Sequence, residues 1–231
     1  MKIELKILRY SPETDQLPGY QSYQVEAAPD DRILDALVHI QRFVDPTLSF
    51  RKSCAHGVCG SDGMRINGKD RLACKTLVKD VLNGSAPVTI EPLAHFPVQK
   101  DLIVDLTLFF EKYRSVKPFL INDEPVAAKE RIQTPDQHSA FDDTTLCILC
   151  AVCYSACPVL GRNDRFLGPA ALVQASRFLH DSRDKGLELR RPALDDPDGA
   201  RACENRFECT RSCPRSIKVT RRINEIKRKL K

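Results

Sequence analysis

Four cysteines stand within eleven residues in the run Cys147-Ile-Leu-Cys150-Ala-Val-Cys153-Tyr-Ser-Ala-Cys157, and Pro158 closes it. This spacing holds a cubane iron–sulfur cluster, and in two-cluster chains the fourth cysteine ligates the other cluster. The run therefore implies a second group downstream, and Cys203, Cys209 and Cys213, followed by Pro214, supply one. A third group, Cys54, Cys59 and Cys74, lies upstream with a different spacing. Any fold for this chain must gather three cysteine groups.

All ten cysteines of the 231 residues fall in these groups. The chain opens Met1-Lys2-Ile3-Glu4-Leu5-Lys6, unlike a signal peptide, and closely spaced cysteines then read as metal ligands rather than extracellular disulfides. No apolar run approaches the roughly 18 residues of a membrane span. The longest, Leu102 to Phe110, is interrupted by Asp105. The expectation is a soluble or peripheral protein on the reducing side of a membrane. Much of the net charge of +5 sits at the end, where Lys218, Arg221, Arg222, Lys227, Arg228, Lys229 and Lys231 are opposed only by Glu225. Such a tail suits an anionic lipid surface, an acidic partner or a solvated helix face. Without interleaved aromatics it does not point to nucleic acid.

Lys2 to Leu8 alternates with period two, placing Ile3, Leu5 and Ile7 on one face of a strand. Ser11 to Gly19 reads as a loop and Tyr20 to Val25 as a second strand. A helix capped by Asp30 or Asp31 follows, with Ile33, Leu37, Ile40 and Val44 at helical spacing and Asp45-Pro46 ending it. The Asn67-Gly68 turn joins Met64 to Ile66 with Arg71 to Cys74 as a hairpin, and Val88 to Ile90 is a last strand. A hairpin followed by a helix opens a β-grasp domain, expected over residues 1–100 with its boundary between His95 and Lys100. Beyond it, Leu106 to Tyr113 reads as a helix and Lys117 to Thr134 as an extended segment laid over another surface. Pro169 opens a helix buried through Leu172, Val173, Ser176 and Leu179. Pro192 to Gly199 reads as an acidic loop, and Ile223, Ile226 and Leu230 stripe a final helix. The fold class is α+β: an N-terminal β-grasp plant-type ferredoxin domain, then an all-α bacterial ferredoxin-like domain over residues 101–231.

The upstream group is Cys54-x4-Cys59-x2-Asp62, with Cys74 after eleven more residues. The plant-type [2Fe–2S] pattern is C-x4-C-x2-C with a distant fourth cysteine, so Asp62 takes the third place. A carboxylate oxygen can bind iron, which makes Cys54, Cys59, Asp62 and Cys74 a complete ligand set. The alternative is that Asp62 is a turn residue and water or another group completes the site. Cys147, Cys150 and Cys153, with Cys213 by the crossing rule, form a four-thiolate site for [4Fe–4S]. Cys157, Cys203 and Cys209 remain, and three thiolates suit [3Fe–4S]. The slot for a fourth holds Arg206, whose guanidinium has no lone pair to offer iron. Zinc favours four-ligand tetrahedral sets, which the odd count and the Cys-Pro closures oppose. No dinucleotide fingerprint or Ser/His/Asp arrangement is present, so no catalytic residue is expected. His56, beside the first group, reads as a loop residue or a hydrogen-bond donor. Three clusters make a one-electron wire whose donor and acceptor lie outside the chain.

The order of these sites resembles the iron–sulfur subunit of succinate dehydrogenase (complex II) and fumarate reductase over nearly the whole chain. The residues that carry it are Ser53-Cys-Ala-His-Gly-Val-Cys-Gly-Ser-Asp62, Arg71-Leu-Ala-Cys74, Asp142-Asp-Thr-Thr-Leu-Cys147, Gly168-Pro-Ala-Ala, Asp181-Ser-Arg-Asp184 and Ser212-Cys-Pro214. The resemblance implies a flavoprotein partner that oxidises succinate on covalent FAD and a membrane anchor that binds quinone, often with haem b. It implies electron flow from FAD through [2Fe–2S], [4Fe–4S] and [3Fe–4S] to quinone, by a subunit peripheral on the cytoplasmic face of the inner membrane. Two departures stand out. Ubiquinone-using members carry tryptophan shortly after the Cys157-Pro158 position and histidine directly after the Cys203 position. Here the stretches read Val159-Leu-Gly-Arg-Asn163 and Glu204, with no tryptophan anywhere. Quinone contacts then carry over only to Pro158, and menaquinone is the expected quinone. Arg206 stands where small or apolar residues are usual: buried, it would raise the cluster's potential; turned outward, it would pair with an acid such as Glu208. The expected activity is succinate:quinone oxidoreduction. Fumarate reduction, a free multi-cluster carrier and a heterodisulfide-reductase subunit are the rivals.

Overall fold

The computed structural model describes residues 1–14, 16–125 and 128–231. Its strands are β1 (Lys2–Arg9), β2 (Gly19–Glu26), β3 (Gly63–Ile66), β4 (Lys69–Leu72), β5 (Val88–Glu91), β6 (Val98–Lys100) and β7 (Ile103–Val104). Its α-helices are α1 (Ile33–His39), α2 (Thr107–Ser115), α3 (Pro135–Ser139), α4 (Asp142–Thr145), α5 (Val152–Ser155), α6 (Pro169–Leu179), α7 (Leu187–Leu194), α8 (Glu208–Ser212) and α9 (Val219–Lys229). Two compact units result: Met1–Leu106 with Ile148–Ala156, and Thr107–Cys147 with Cys157–Lys231. The first unit therefore runs past a cut at residue 100 and takes in part of the cysteine run.

In the first unit a five-stranded sheet has the order β2-β1-β5-β3-β4. β1 pairs antiparallel with β2 and parallel with β5, and β3 pairs antiparallel with both β5 and β4. Ile3, Leu5 and Ile7 are buried on one face, as the alternation requires. Each such side chain contributes about 1.5–3 kcal/mol. α1 buries Ile33, Leu34, Ala36 and Leu37. Neither Asp30 nor Asp31 caps it. Asp31 accepts the Ala28 N–H at 2.7 Å, while Asp35 reaches back to the Arg32 N–H at 3.0 Å. The last turn widens into a π turn, Ile40–Val44, closed by Asp45 N–H to Ile40 C=O at 2.8 Å. That extra residue per turn rotates Val44 off the buried face, and it is exposed beside Phe43. The stretch read as a boundary is instead the β6–β7 hairpin. Asp101, 2% exposed in its turn, accepts bonds from Arg9 Nε at 3.0 Å, Tyr10 N–H at 3.0 Å and Ser49 N–H at 2.9 Å, tying the hairpin to the end of β1.

The second unit centres on α6, whose residues from Pro169 to Ser176 are all buried. α2, α4 and α9 pack against it. α9 buries Ile223 and Ile226, with Leu230 just beyond, on the predicted stripe. Much of the basic tail works inside the fold. Arg222 bonds Asp143 Oδ1 through Nε at 2.9 Å and the Ala140 carbonyl at 2.7 Å. Lys229 caps the Leu179 carbonyl at the end of α6, and Lys227 donates to the Cys203 carbonyl at 2.7 Å. Described residues of the extended 117–134 segment lie along the Asp181–Arg190 stretch; Val126 and Ala127 fall outside the described residues. Ile121 N–H donates to Asp184 Oδ2 at 3.0 Å, and Lys185 N–H to the Ile121 carbonyl at 2.7 Å. Arg190, fully buried, pairs with Asp184 at 2.7 Å and donates to the carbonyls of Val116 and Phe119. These contacts and buried Leu194 hold α7, so Pro192 sits inside a helix where a loop is predicted. Pro192 has no N–H to return to the preceding turn, a cost to the helix that these tertiary contacts offset.

Candidate metal centres

The first centre is a loop between α1 and β3, closed by the turn after β4. Ala55, Gly57 and Gly60 all have positive φ, so successive N–H groups face inward. Cys54 Sγ accepts the N–H groups of His56 and Cys59, each at 3.3 Å. These donors, His56 first, draw the Cys54 thiol down to about 6. Cys59 Sγ lies 3.2 Å from Ser61 Oγ. Burial and the neighbouring Asp62 carboxylate push the Cys74 thiol up to about 12. Asp62 is 2% exposed. Its Oδ2 accepts the Cys74 N–H at 2.6 Å, and its carbonyl accepts the Ala73 N–H at 3.1 Å. Its Oδ1 is buried with no hydrogen-bond partner. An oxygen left so, on a carboxylate tied to a cysteine 12 residues away, fits the chemistry of an iron ligand. The Cys74 turn is itself fixed to α1 by Ile33 N–H to the Thr76 carbonyl at 3.0 Å.

The long cysteine run is divided. Cys150 and Cys153 belong to the first unit, Cys147, Cys157 and Cys213 to the second. Within the first unit, Ser155 Oγ donates to the Asp70 carboxylate and accepts the Ala94 N–H at 2.7 Å. Tyr154 stacks on Phe96 at 4.7 Å. Cys150 lies directly on the upstream loop: a Cβ at Gly60 would come within 2.7 Å of Cys150 Cβ. In the second unit, Cys147 N–H donates to the carbonyl of fully buried Thr144 at 3.2 Å.

Cys157, Cys203 and Cys209 line one hollow, with Pro158, Phe207 and Ile223 among its walls. Among the described residues no three His, Cys, Asp or Glu side chains are drawn together for a single ion; these thiols instead surround a space. Burial pushes the Cys157 thiol up and the Cys209 thiol up to about 11. Arg206 points outward, its side chain 60% exposed, and pairs with Glu204 at 3.2 Å rather than with Glu208, which takes Arg211. The buried-cation reading of Arg206 is thereby overturned. Glu204 also holds Arg162 at 2.7 Å.

A family model described as a 2Fe-2S iron-sulfur cluster binding domain matches residues 4–111, and one described as a 4Fe-4S dicluster domain matches residues 143–217. Over 218 residues the chain is 44% identical to the fumarate reductase iron-sulfur subunit of Mycobacterium tuberculosis, covering 94% of this chain and 87% of that one. It is 42% identical over 224 residues to the succinate dehydrogenase iron-sulfur subunit of Coxiella burnetii, covering 96% and 94%. The chain belongs to the iron–sulfur subunits of succinate dehydrogenase and fumarate reductase. Among solved structures, a chain of the Mycobacterium smegmatis Sdh1 complex in the apo form matches this iron–sulfur subunit with a TM-score of 0.89 at 26% identity, over 99% of this chain and 95% of that one. As a member of this family it is an electron-transfer subunit with an α+β fold.

Sequence reasoning missed three residues that touch the cysteines or their segments in this iron–sulfur subunit. Asp70 anchors Ser155, Thr220 meets Cys209, and Lys227 meets the Cys203 carbonyl. For Ser155 and Thr220 a signal existed: a hydroxyl residue on an otherwise buried surface close to the cysteine groups.

Proposed function

We propose that this iron–sulfur subunit holds [2Fe–2S] through Cys54, Cys59, Asp62 and Cys74, [4Fe–4S] through Cys147, Cys150, Cys153 and Cys213, and [3Fe–4S] through Cys157, Cys203 and Cys209. It serves succinate:quinone oxidoreduction, carrying electrons from an FAD-bearing flavoprotein subunit to menaquinone at a membrane anchor that can also hold haem b. The clusters, when bound, supply one-electron redox chemistry. The observation that carries the reading is the orphaned Asp62 Oδ1. A buried acceptor without a donor costs about 1–3 kcal/mol, which a bound cation offsets. Inward N–H groups around Cys54 would stabilise a negatively charged cluster in the same loop. The second ligand set rests on spacing and the crossing rule, and the third on the shared hollow. Pro158, on the wall of that hollow, is the residue assigned to the quinone side. Menaquinone is favoured because the Val159–Asn163 stretch lacks the tryptophan, and Glu204 replaces the histidine, that ubiquinone-using relatives carry. Among the described residues no helix is long and apolar enough to cross a membrane, and attachment to the cytoplasmic face is assigned to the anchor partner.

Fumarate reduction is the second reading, favoured by the name of the Mycobacterium tuberculosis relative. The test is to purify the native complex and compare succinate-driven menaquinone reduction with menaquinol-driven fumarate reduction. Faster succinate oxidation is expected. Dominant fumarate reduction overturns the direction, and purification without a flavin-bearing chain overturns the partner.

A further inference from the structure

Cys209 is met by a hydroxyl that the cluster spacing does not call for. Thr220, in the first turn of α9 and 1% exposed, places Oγ1 3.5 Å from Cys209 Sγ. Thr210, next to Cys209 on α8, lies 3.0 Å from the same hydroxyl, and its Oγ1 also accepts the Thr220 N–H at 3.0 Å. That N–H belongs to the group of donors a helix start leaves without intrahelical partners. The bond fixes where the Thr210 oxygen stands. A hydroxyl carries one proton and can accept through two lone pairs.

These counts assign the protons. A cysteine that ligates metal is a thiolate and has no proton to give. Across the 3.5 Å contact Thr220 is then the donor. With its proton committed to sulfur, Thr220 can only accept from Thr210, so Thr210 donates across the 3.0 Å contact. The result is a one-way chain, Thr210 O–H to Thr220 Oγ1 and Thr220 O–H to Cys209 Sγ. Each bond polarises the next, and burial keeps water from competing.

We propose that Thr220, oriented by Thr210, is a positioning donor to the Cys209 thiolate that raises the reduction potential of the cluster held by Cys157, Cys203 and Cys209. The inference rests on the ligand set proposed above. The thiolates carry more negative charge when the cluster is reduced, so the hydrogen bond strengthens in that state and favours it. No proton is transferred: the hydroxyl keeps its hydrogen in both redox states, and one electron enters and leaves as in the relay itself. A stitch that merely joined α8 to α9 would leave the potential unmoved.

The test is a redox titration of the oxidised three-iron EPR signal in the native complex. Thr220→Val is expected to raise the oxidised-to-reduced ratio at fixed potential about tenfold, which for one electron is a midpoint lower by about 59 mV. Thr220→Ser, which keeps the hydroxyl, is expected to keep the wild-type midpoint. Thr210→Val is expected to shift it the same way by less. If Thr220→Val fails to assemble, Thr220→Ala removes the same hydroxyl without adding a methyl group and must give the same shift. An intact signal with an unmoved midpoint in the assembled hydroxyl-free variant overturns the proposal and leaves the ligand set standing. Absence of a three-iron signal from the wild-type complex overturns both.

Discussion

In the first unit Cys54 is met by backbone, whereas in the second Cys209 is met by side chains. Around Cys54 the donors are main-chain N–H groups, turned inward by residues of positive φ. Around Cys203 and Cys209 they are Lys227, Thr210 and Thr220, delivered by helices. A backbone cradle depends on conformations that glycine adopts freely, so it is damaged by adding atoms. A side-chain cradle depends on burial and pairing, so it is damaged by removing them.

The largest expected effect tests the side-chain half. Arg190→Ala leaves Asp184 charged and buried and frees the carbonyls of Val116 and Phe119. Breaking such a pair costs about 3–5 kcal/mol, read from the shift in denaturation midpoint. A loss under about 1 kcal/mol would remove the contrast. Next, in the backbone half, Asp62→Ala is expected to lower [2Fe–2S] occupancy about 10–100-fold, measured as spin per protein, while Asp62→Cys keeps the site filled. Full occupancy in Asp62→Ala would return Asp62 to a turn residue.

A smaller effect sharpens the glycine argument. Gly60→Ala would set a Cβ within 2.7 Å of Cys150 Cβ at a φ of +69°, whereas Gly84→Ala at +59° meets nothing within 4 Å. The second costs the left-handed conformation alone, about 1–2 kcal/mol, and the first costs more because Cys150 must shift. Equal losses of thermal stability would show that the loop does not depend on this approach. The smallest effect concerns acid. Thr47, Tyr23 and Arg9 hold the Asp45 carboxyl well below the usual carboxylate range. Its folded value is depressed, so its contribution is present above the unfolded value near about pH 4 and fades as pH falls through the folded value. Asp45→Asn should therefore differ from the wild type at neutral pH and converge with it in acid, measured as denaturation midpoint against pH.

Local patterns carried much of the fold. Ile3, Leu5 and Ile7, the α6 face and the α9 stripe are set by neighbours in sequence, and the structure buries them as periodicity predicts. Spacing alone singled out Asp62, and the structure leaves its Oδ1 buried without a hydrogen-bond partner. What stayed hidden depends on distant partners. The attachment of residues 148–156 to the first unit needs Tyr154 on Phe96 and Ser155 on Asp70. The helix through Pro192 needs Arg190 to find Asp184. Arg206 could not be oriented from composition, since Glu204 and Glu208 both lay within reach in sequence and only the fold selected Glu204.

The return of Ile148–Ala156 to the first unit bears on how the chain is made. A polypeptide emerging from the ribosome as far as Leu106 has every strand of the five-stranded sheet but not the segment that covers Gly60 and Gly63. The upstream loop stays uncovered through the synthesis of α2, α3 and α4. The loop that carries Cys54 and Cys59 thus gains its cover only when Cys150 arrives and lays the later run beside Gly60 and Gly63.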